Sequence, residues 1–165
     1  MKYLENLTRT MDPEKYKNKW DTYRAYLESI RAQLPANVYD FALADWRFKD
    51  DHRGLHDAWV DAVSIVESAI GGDQHNRKLD ISIRLLGPYH DGHIELCYAD
   101  VHSYRINLPA ETESVTRGPY RHGDWLVDEI RLSEKNLVLH EIEFCYGSRW
   151  TIECRDLTCQ WKPFH

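Results

Sequence analysis

The chain lacks any apolar run close to the length of about 20 residues that a helix needs to span a bilayer. Met1–Thr10 carries no apolar h-region, so the sequence predicts no secretory signal, no membrane partner and a cytoplasmic location. The four cysteines, Cys97, Cys145, Cys154 and Cys159, form no Cys-x-x-Cys pair, which argues against a zinc knuckle. In a reducing compartment they are expected to be free thiols, packed as small hydrophobes on strands. Gly71-Gly72 has neither the Lys nor the Ser/Thr of a phosphate-binding loop, and there is no Gly-x-Ser-x-Gly elbow. No repeat or low-complexity segment occurs, and nothing in the sequence calls for a cofactor. Bases are outnumbered, 21 against 27 acids, for a net charge of −6. That balance argues against a nucleic-acid partner, which would need a basic stripe, and is compatible with a basic protein partner.

What is present is a globular composition. Of 165 residues, 42% are hydrophobic and 29% charged, enough for one domain with a real core. Six Trp and ten Tyr are many for this length. Their polar tips need partners, so they favour half-buried surfaces and interfaces.

Asp12-Pro13 opens a helix: the carboxylate can cap free N–H groups, and proline at the first position loses no hydrogen bond. Tyr16, Trp20, Tyr23, Leu27, Ile30 and Leu34 then form one apolar stripe at helical spacing, ending at Pro35. Lys15, Lys17, Asp21, Arg24, Glu28 and Arg31 form the opposite, solvated face. A shorter helix over 36–46 follows, then a charged loop over 47–54. Residues 55–70 fit helix and strand equally well, since Leu55, Trp59, Val63, Val66 and Ile70 share a helical face in a β-branched run.

From residue 77 the period becomes two. Leu79, Ile81, Ile83 and Leu85 alternate with polar residues, and so do the runs near 94–98, 104–108, 126–132, 138–146 and 150–161. Pro109–Gly123 is a polar connection of the length that often carries function. Short turns between successive strands predict a meander. The fold class expected is therefore α+β in a single domain spanning 1–165. A helical part over 12–46 packs on a largely antiparallel sheet of about six strands over 55–162.

Two polar residues interrupt the apolar face of that sheet. Asp128 falls between Leu126 and Ile130, and His140 between Val138 and Ile142. With a three-residue loop at 133–135 they would be direct cross-strand partners. A buried carboxylate needs a partner, and an imidazole supplies one. The first reading is a pair that fixes register; the second is a binding or proton-transfer site. Glu141, Glu143 and Glu153 alternate with apolar neighbours and read as the outer faces of strands. His52, His56-Asp57 and His90-Asp91-Gly92-His93 form a second polar constellation. Gly54 interrupts a helix that would pair His52 with His56, and an Asp-Gly turn explains His90 and His93, so no metal site is expected. His56 and Asp57 remain candidate binding residues.

Leu55-His56-Asp57-Ala58, followed by Leu79-Asp80-Ile81-Ser82-Ile83, resembles small uncharacterised bacterial β-meander domains. Their closing strand pair resembles His140-Glu141-Ile142-Glu143-Phe144 and Trp150–Leu157. Some relatives of such domains resemble immunity proteins of polymorphic toxin systems. The resemblance covers about 55–160 and brings no catalytic motif. It implies that 57–70 is strand, and that the protein binds and blocks a toxin-like partner. Two other readings stand beside it: a small hydrolase using His56 and Asp57 or the Asp128–His140 pair, and a homo-oligomeric structural protein.

Overall fold

The computed structural model describes residues 1–5, 7, 11–48, 50–110 and 121–164. Most of the Pro109–Gly123 connection lies outside the described residues. Helix α1 spans Pro13–Ile30 and helix α2 spans Ala36–Leu43, with single 3-10 turns at Arg31–Gln33 and Asp45–Phe48. Asp12 caps α1 as its sequence implies: its carboxylate accepts from the Glu14 and Lys15 N–H groups, both at 3.1 Å. The apolar stripe faces inward, with Tyr23, Leu27 and Ile30 buried. Pro35 separates the helices, and Val38, Tyr39, Phe41 and Ala42 of α2 join the core.

Six strands follow: β1 (Trp59–Ile70), β2 (Asp73–Leu86), β3 (Gly92–Arg105), β4 (Trp125–Leu132), β5 (Val138–Phe144) and β6 (Arg149–Pro163). The protein is α+β, with every strand pair antiparallel. The order β1-β2-β3-β6-β5-β4 makes two three-stranded meanders, joined where β3 pairs with β6. The ambiguous stretch is strand, paired with β2 from Trp59 onward. Gly71 and Gly72, at φ +60° and +81°, turn it into β2.

Cross-strand neighbours share a face, so the register shows how the core is built. Ile81, Ile83 and Leu85 of β2 face Tyr98, Leu96 and Ile94 of β3. Those in turn face Leu157, Cys159 and Trp161 of β6. Ile142 of β5 faces Trp150 of β6. The helices pack on this face, and Asn37 of α2 anchors there by donating to Asp156 and to the Leu157 carbonyl, both at 2.8 Å.

The two outer strands meet at one end. The Asp57 N–H donates to the Trp125 carbonyl at 3.0 Å, and the Trp125 N–H to the Ala58 carbonyl at 2.9 Å. A sheet whose first and last strands are tied together at one end must curl. Beyond Trp59 the β1–β2 hairpin runs clear of the helices as an exposed arm.

The other face is not a solvated surface over β4–β6. Residues 1–5 cross it, and the Glu129 carboxylate accepts from the backbone N–H groups of Lys2, Tyr3 and Leu4 at 2.7–2.9 Å. Glu141, Glu143 and Glu153 do face outward, but only 18%, 16% and 8% of their side chains is exposed. Each is paired: Glu141 with Arg131 and the Met1 amine, Glu143 with Arg149, Glu153 with Ser103.

Candidate functional site: a sealed charge network and an open acidic corner

Asp128 and His140 come together, though not by direct opposition. The β4–β5 connection is longer than three residues: Leu132 pairs with Val138, and Asn136 sits at φ +56° in the turn. That register places Ile142 opposite Asp128 and Ile130 opposite His140, so the two polar residues are diagonal neighbours. A bulge between Trp125 and Val127 also puts Trp125, not Leu126, on the face that Phe144 shares. The diagonal is still within reach. His140 Nε2 lies 2.9 Å from Asp128 Oδ2, and both residues are fully buried.

The rest of the network comes from β4 itself and from two other elements. Trp125 Nε1 donates to Asp128 Oδ1 at 3.1 Å. Tyr98 of β3 lies with its hydroxyl 2.9 Å from His140 Nδ1. Arg47, from the turn after α2, forms an ion pair with Asp128 Oδ2. Its Nη1 also donates to the Phe41 and Ala42 carbonyls at 3.1 and 3.0 Å, and its guanidinium lies 4.3 Å from the Phe41 ring centroid. A cation on the last carbonyls of a helix is favoured by their exposed partial charge. The sequence places Arg47 in a charged loop, whereas the structure buries it completely. It is the counterion that lets Asp128 stand in the core.

The protonation states follow from these contacts. Burial, and then the positive Arg47, push His140 well below its usual value, so the ring is neutral. Burial pushes the Tyr98 phenol well up, so it keeps its proton. Tyr98 O–H then donates to Nδ1, and Nε2–H donates to the Asp128 carboxylate. Burial pulls Arg47 down to about 10, which leaves it charged at neutral pH. Each member has at least one partner inside the network, and all of it is sealed from solvent. All four residues, Arg47, Tyr98, Asp128 and His140, are at most 1% exposed, so a substrate has no route to them.

His56 and Asp57 lie on the other side of Trp125, at the surface, with Nδ1 and Oδ1 2.8 Å apart. Asp57 adopts φ +68°, the left-handed region that a side chain rarely enters, as it turns the chain into β1. Asp124 completes this corner. Partial burial, and then the Asp57 charge, raise its carboxyl above the usual range, while the Trp59 indole and His56 oppose that. No local signal marks Asp124 as a neighbour of the pair, because the contact depends on the start of β1 meeting β4. The second constellation is partly brought together: His52 pairs with Asp91 and stacks on Tyr89 at 4.4 Å, while His90 lies against Trp59 at 4.6 Å and His93 is 3.5 Å from Asp61. Among the described residues, no group of three or more His, Cys, Asp or Glu side chains converges as a metal site. The thiols are free, with Cys97 exposed on β3, Cys145 exposed in the turn after β5, and only Cys154 fully buried.

The largest apolar exposure lies elsewhere, on the arm. Val63, Ile65, Val66 and Ile70 of β1 are 37%, 43%, 52% and 44% exposed. Val63 and Ile65 share the core face with Ile83 and Ile81, so the core continues beyond the cover of the helices. No helix among the described residues is long and apolar enough to cross a membrane. No protein-family profile matches the chain, and neither a curated protein nor a solved structure matches it.

Proposed function

We propose that this chain is a non-enzymatic protein-binding domain and that its binding surface is the β1–β2 arm. The observation that carries this reading is an inversion of ordinary burial. The residues with chemical potential, Asp128 and His140, are sealed in the core, while four large apolar side chains of β1 stand exposed. Val63 and Ile65 extend the apolar core face beyond its cover, with Val66 exposed on the opposite face, and uncovered apolar surface of this kind marks interaction sites. The finer form of the proposal is an immunity-type protein that occludes a toxin-like partner. The net charge of −6 supports it, since complementary charge speeds encounter with a basic partner. So does the resemblance of residues 55–160 to small bacterial β-meander domains, some relatives of which resemble immunity proteins.

The test begins with the gene immediately upstream in the source genome. Its product, expressed alone, is expected to arrest growth, and co-expression of this chain to restore it. Val66→Arg on the arm is expected to weaken binding of the purified pair at least tenfold, read by calorimetry. A neighbouring product that is neither toxic nor bound overturns the immunity reading. Undiminished binding by the arm variant overturns the assignment of the surface.

A further inference from the structure

We infer that the free edge of β1 pairs antiparallel with β1 of a second copy of this chain, making one continuous sheet across a two-fold axis at Ile65. The inference rests on the reading of the arm as a binding surface and names its occupant.

An edge strand presents a row of unpaired N–H and C=O groups, and folded proteins defend such edges with lysine, proline, bulges or cover. The two edges of this sheet are treated differently. On β4, the Tyr23 hydroxyl of α1 accepts from the Ile130 N–H at 2.7 Å and donates to the Ile130 carbonyl at 2.9 Å. The Tyr26 hydroxyl accepts from the Leu132 N–H at 2.9 Å. On β1, Trp59–Ile70 contains no Lys, Arg or Pro. Its pairing with β2 shifts register at Val60/Ala62 and at Ala69/Ile70 and is uninterrupted between them, so the regular, open stretch of the edge is Ala62–Ala69. Among the described residues, β2 is the only strand that β1 pairs with.

The sequence of β1 suits its own copy. A two-fold axis perpendicular to the sheet places residues of the same face opposite one another. Centred on Ser64, it would set Asp61 against Glu67 of the copy twice, a like-charge opposition that destabilises a ladder. Centred on Ile65, it sets Val63 opposite Glu67, Ser64 opposite Val66 and Asp61 opposite Ala69, and no acid faces another. Ile65 then meets Ile65 of the copy. Because Ile65 shares its face with Ile81, the core row continues through both copies as Ile81, Ile65, Ile65 and Ile81. The helices are held to β4 through Tyr23 and Tyr26 and to β6 through Asn37, so both copies can present the same face. A paired edge over the regular residues 62–69 is about 27 Å long at 3.4 Å per residue. Such a seam is narrow and falls among the small interfaces, under about 1,200 Å² in total. The dimer is therefore expected to be weak and concentration-dependent.

Sedimentation equilibrium between about 1 and 300 µM tests this. The wild-type mass is expected to rise from one chain toward two. Ile65→Lys and Ile65→Glu, each at an exposed position and each placing like charges together at the axis, are expected to stay monomeric. An equimolar mixture of those two variants is expected to regain the heavier species, because residue 65 faces itself only in this register. Amide exchange in the wild type should slow along 60–70 at high concentration. A wild-type chain that stays monomeric at 300 µM overturns the inference, as does a dimer untouched by Ile65→Lys or a mixture that fails to associate. A monomer that nevertheless binds its partner through the arm leaves the proposed function standing with a foreign strand as occupant. A dimer whose arm variants bind that partner undiminished has the opposite meaning.

Discussion

The neutral His140 makes acid stability a direct probe of the sealed network. The groups facing the ring are Arg47 from the turn after α2, Asp128 from β4 and Tyr98 from β3, with Glu141 beside it on β5. In the unfolded chain this histidine takes up a proton near pH 6.5, while in the folded chain its affinity for that proton is well below. The unfolded state therefore binds more protons below about pH 6.5, and stability is lost as pH falls through that value. Each pH unit well below 6.5 removes about 1.4 kcal/mol, so one such proton removes about 2 kcal/mol between pH 7.5 and 5.0. The loss continues until the pH reaches the folded-state value. Carboxylates elsewhere also titrate, so the useful quantity is a difference between two proteins. Urea unfolding of wild type and His140→Gln, followed by the fluorescence of buried Trp125 and Trp150, gives it. The wild type is expected to be the more stable at pH 7.5, and its advantage is expected to shrink by about 2 kcal/mol at pH 5.0. A constant advantage refutes the assignment of a neutral ring. A growing advantage would mean that Asp128 outweighs burial and Arg47, and that the buried ring is an imidazolium.

Two further outcomes test the contacts around the network. Asp128→Asn removes the counterion of buried Arg47 and is expected to cost about 3–5 kcal/mol in urea unfolding, the range for a broken buried ion pair. The double variant Arg47→Met with Asp128→Leu should be less destabilised than Asp128→Asn, since no uncompensated charge is left. Tyr23→Phe removes the hydroxyl that serves both the N–H and the carbonyl of Ile130. It is expected to cost about 1–3 kcal/mol and to speed exchange of the Ile130 amide, with little effect on amides of β2.

Local signals carried much of this fold. The α1 stripe, the Asp12-Pro13 cap and the period-two strands are each set by neighbours within a few residues, so the sequence states them directly. The strand at β1 was legible through the resemblance alone, because its apolar residues fit both periods. The pairing of β3 with β6 was not legible, since nothing local specifies which meander edges join. The candidate pair was found by broken alternation, and the contact is real. Its register hangs on the loop after Leu132, which is longer than three residues, so the two side chains meet diagonally rather than directly. Arg47 was missed for a physical reason: an arginine in a charged loop is ordinarily solvated, and only the carboxylate across the core reverses that. Asp124 was missed because its neighbours reach it through the closure of β1 on β4.

The separation between the network and the arm bears on how this protein can act. Arg47, Asp128, His140 and Tyr98 tie the turn after α2 to β4, β5 and β3, so they lock the helices onto one half of the sheet. The same helices supply Tyr23 and Tyr26 to the β4 edge. Both devices stiffen the β4 side, and neither extends to β1 past Trp59. A binding surface gains when its scaffold is rigid and its contact strand is left unpaired, because the scaffold then needs no ordering on association. Disrupting the network should therefore lower stability while leaving the arm's intrinsic pairing geometry intact. Substitutions on the exposed face of β1 should do the reverse. A variant of His140 that kept full stability but lost association would break this division, because it would place the binding determinant in the core.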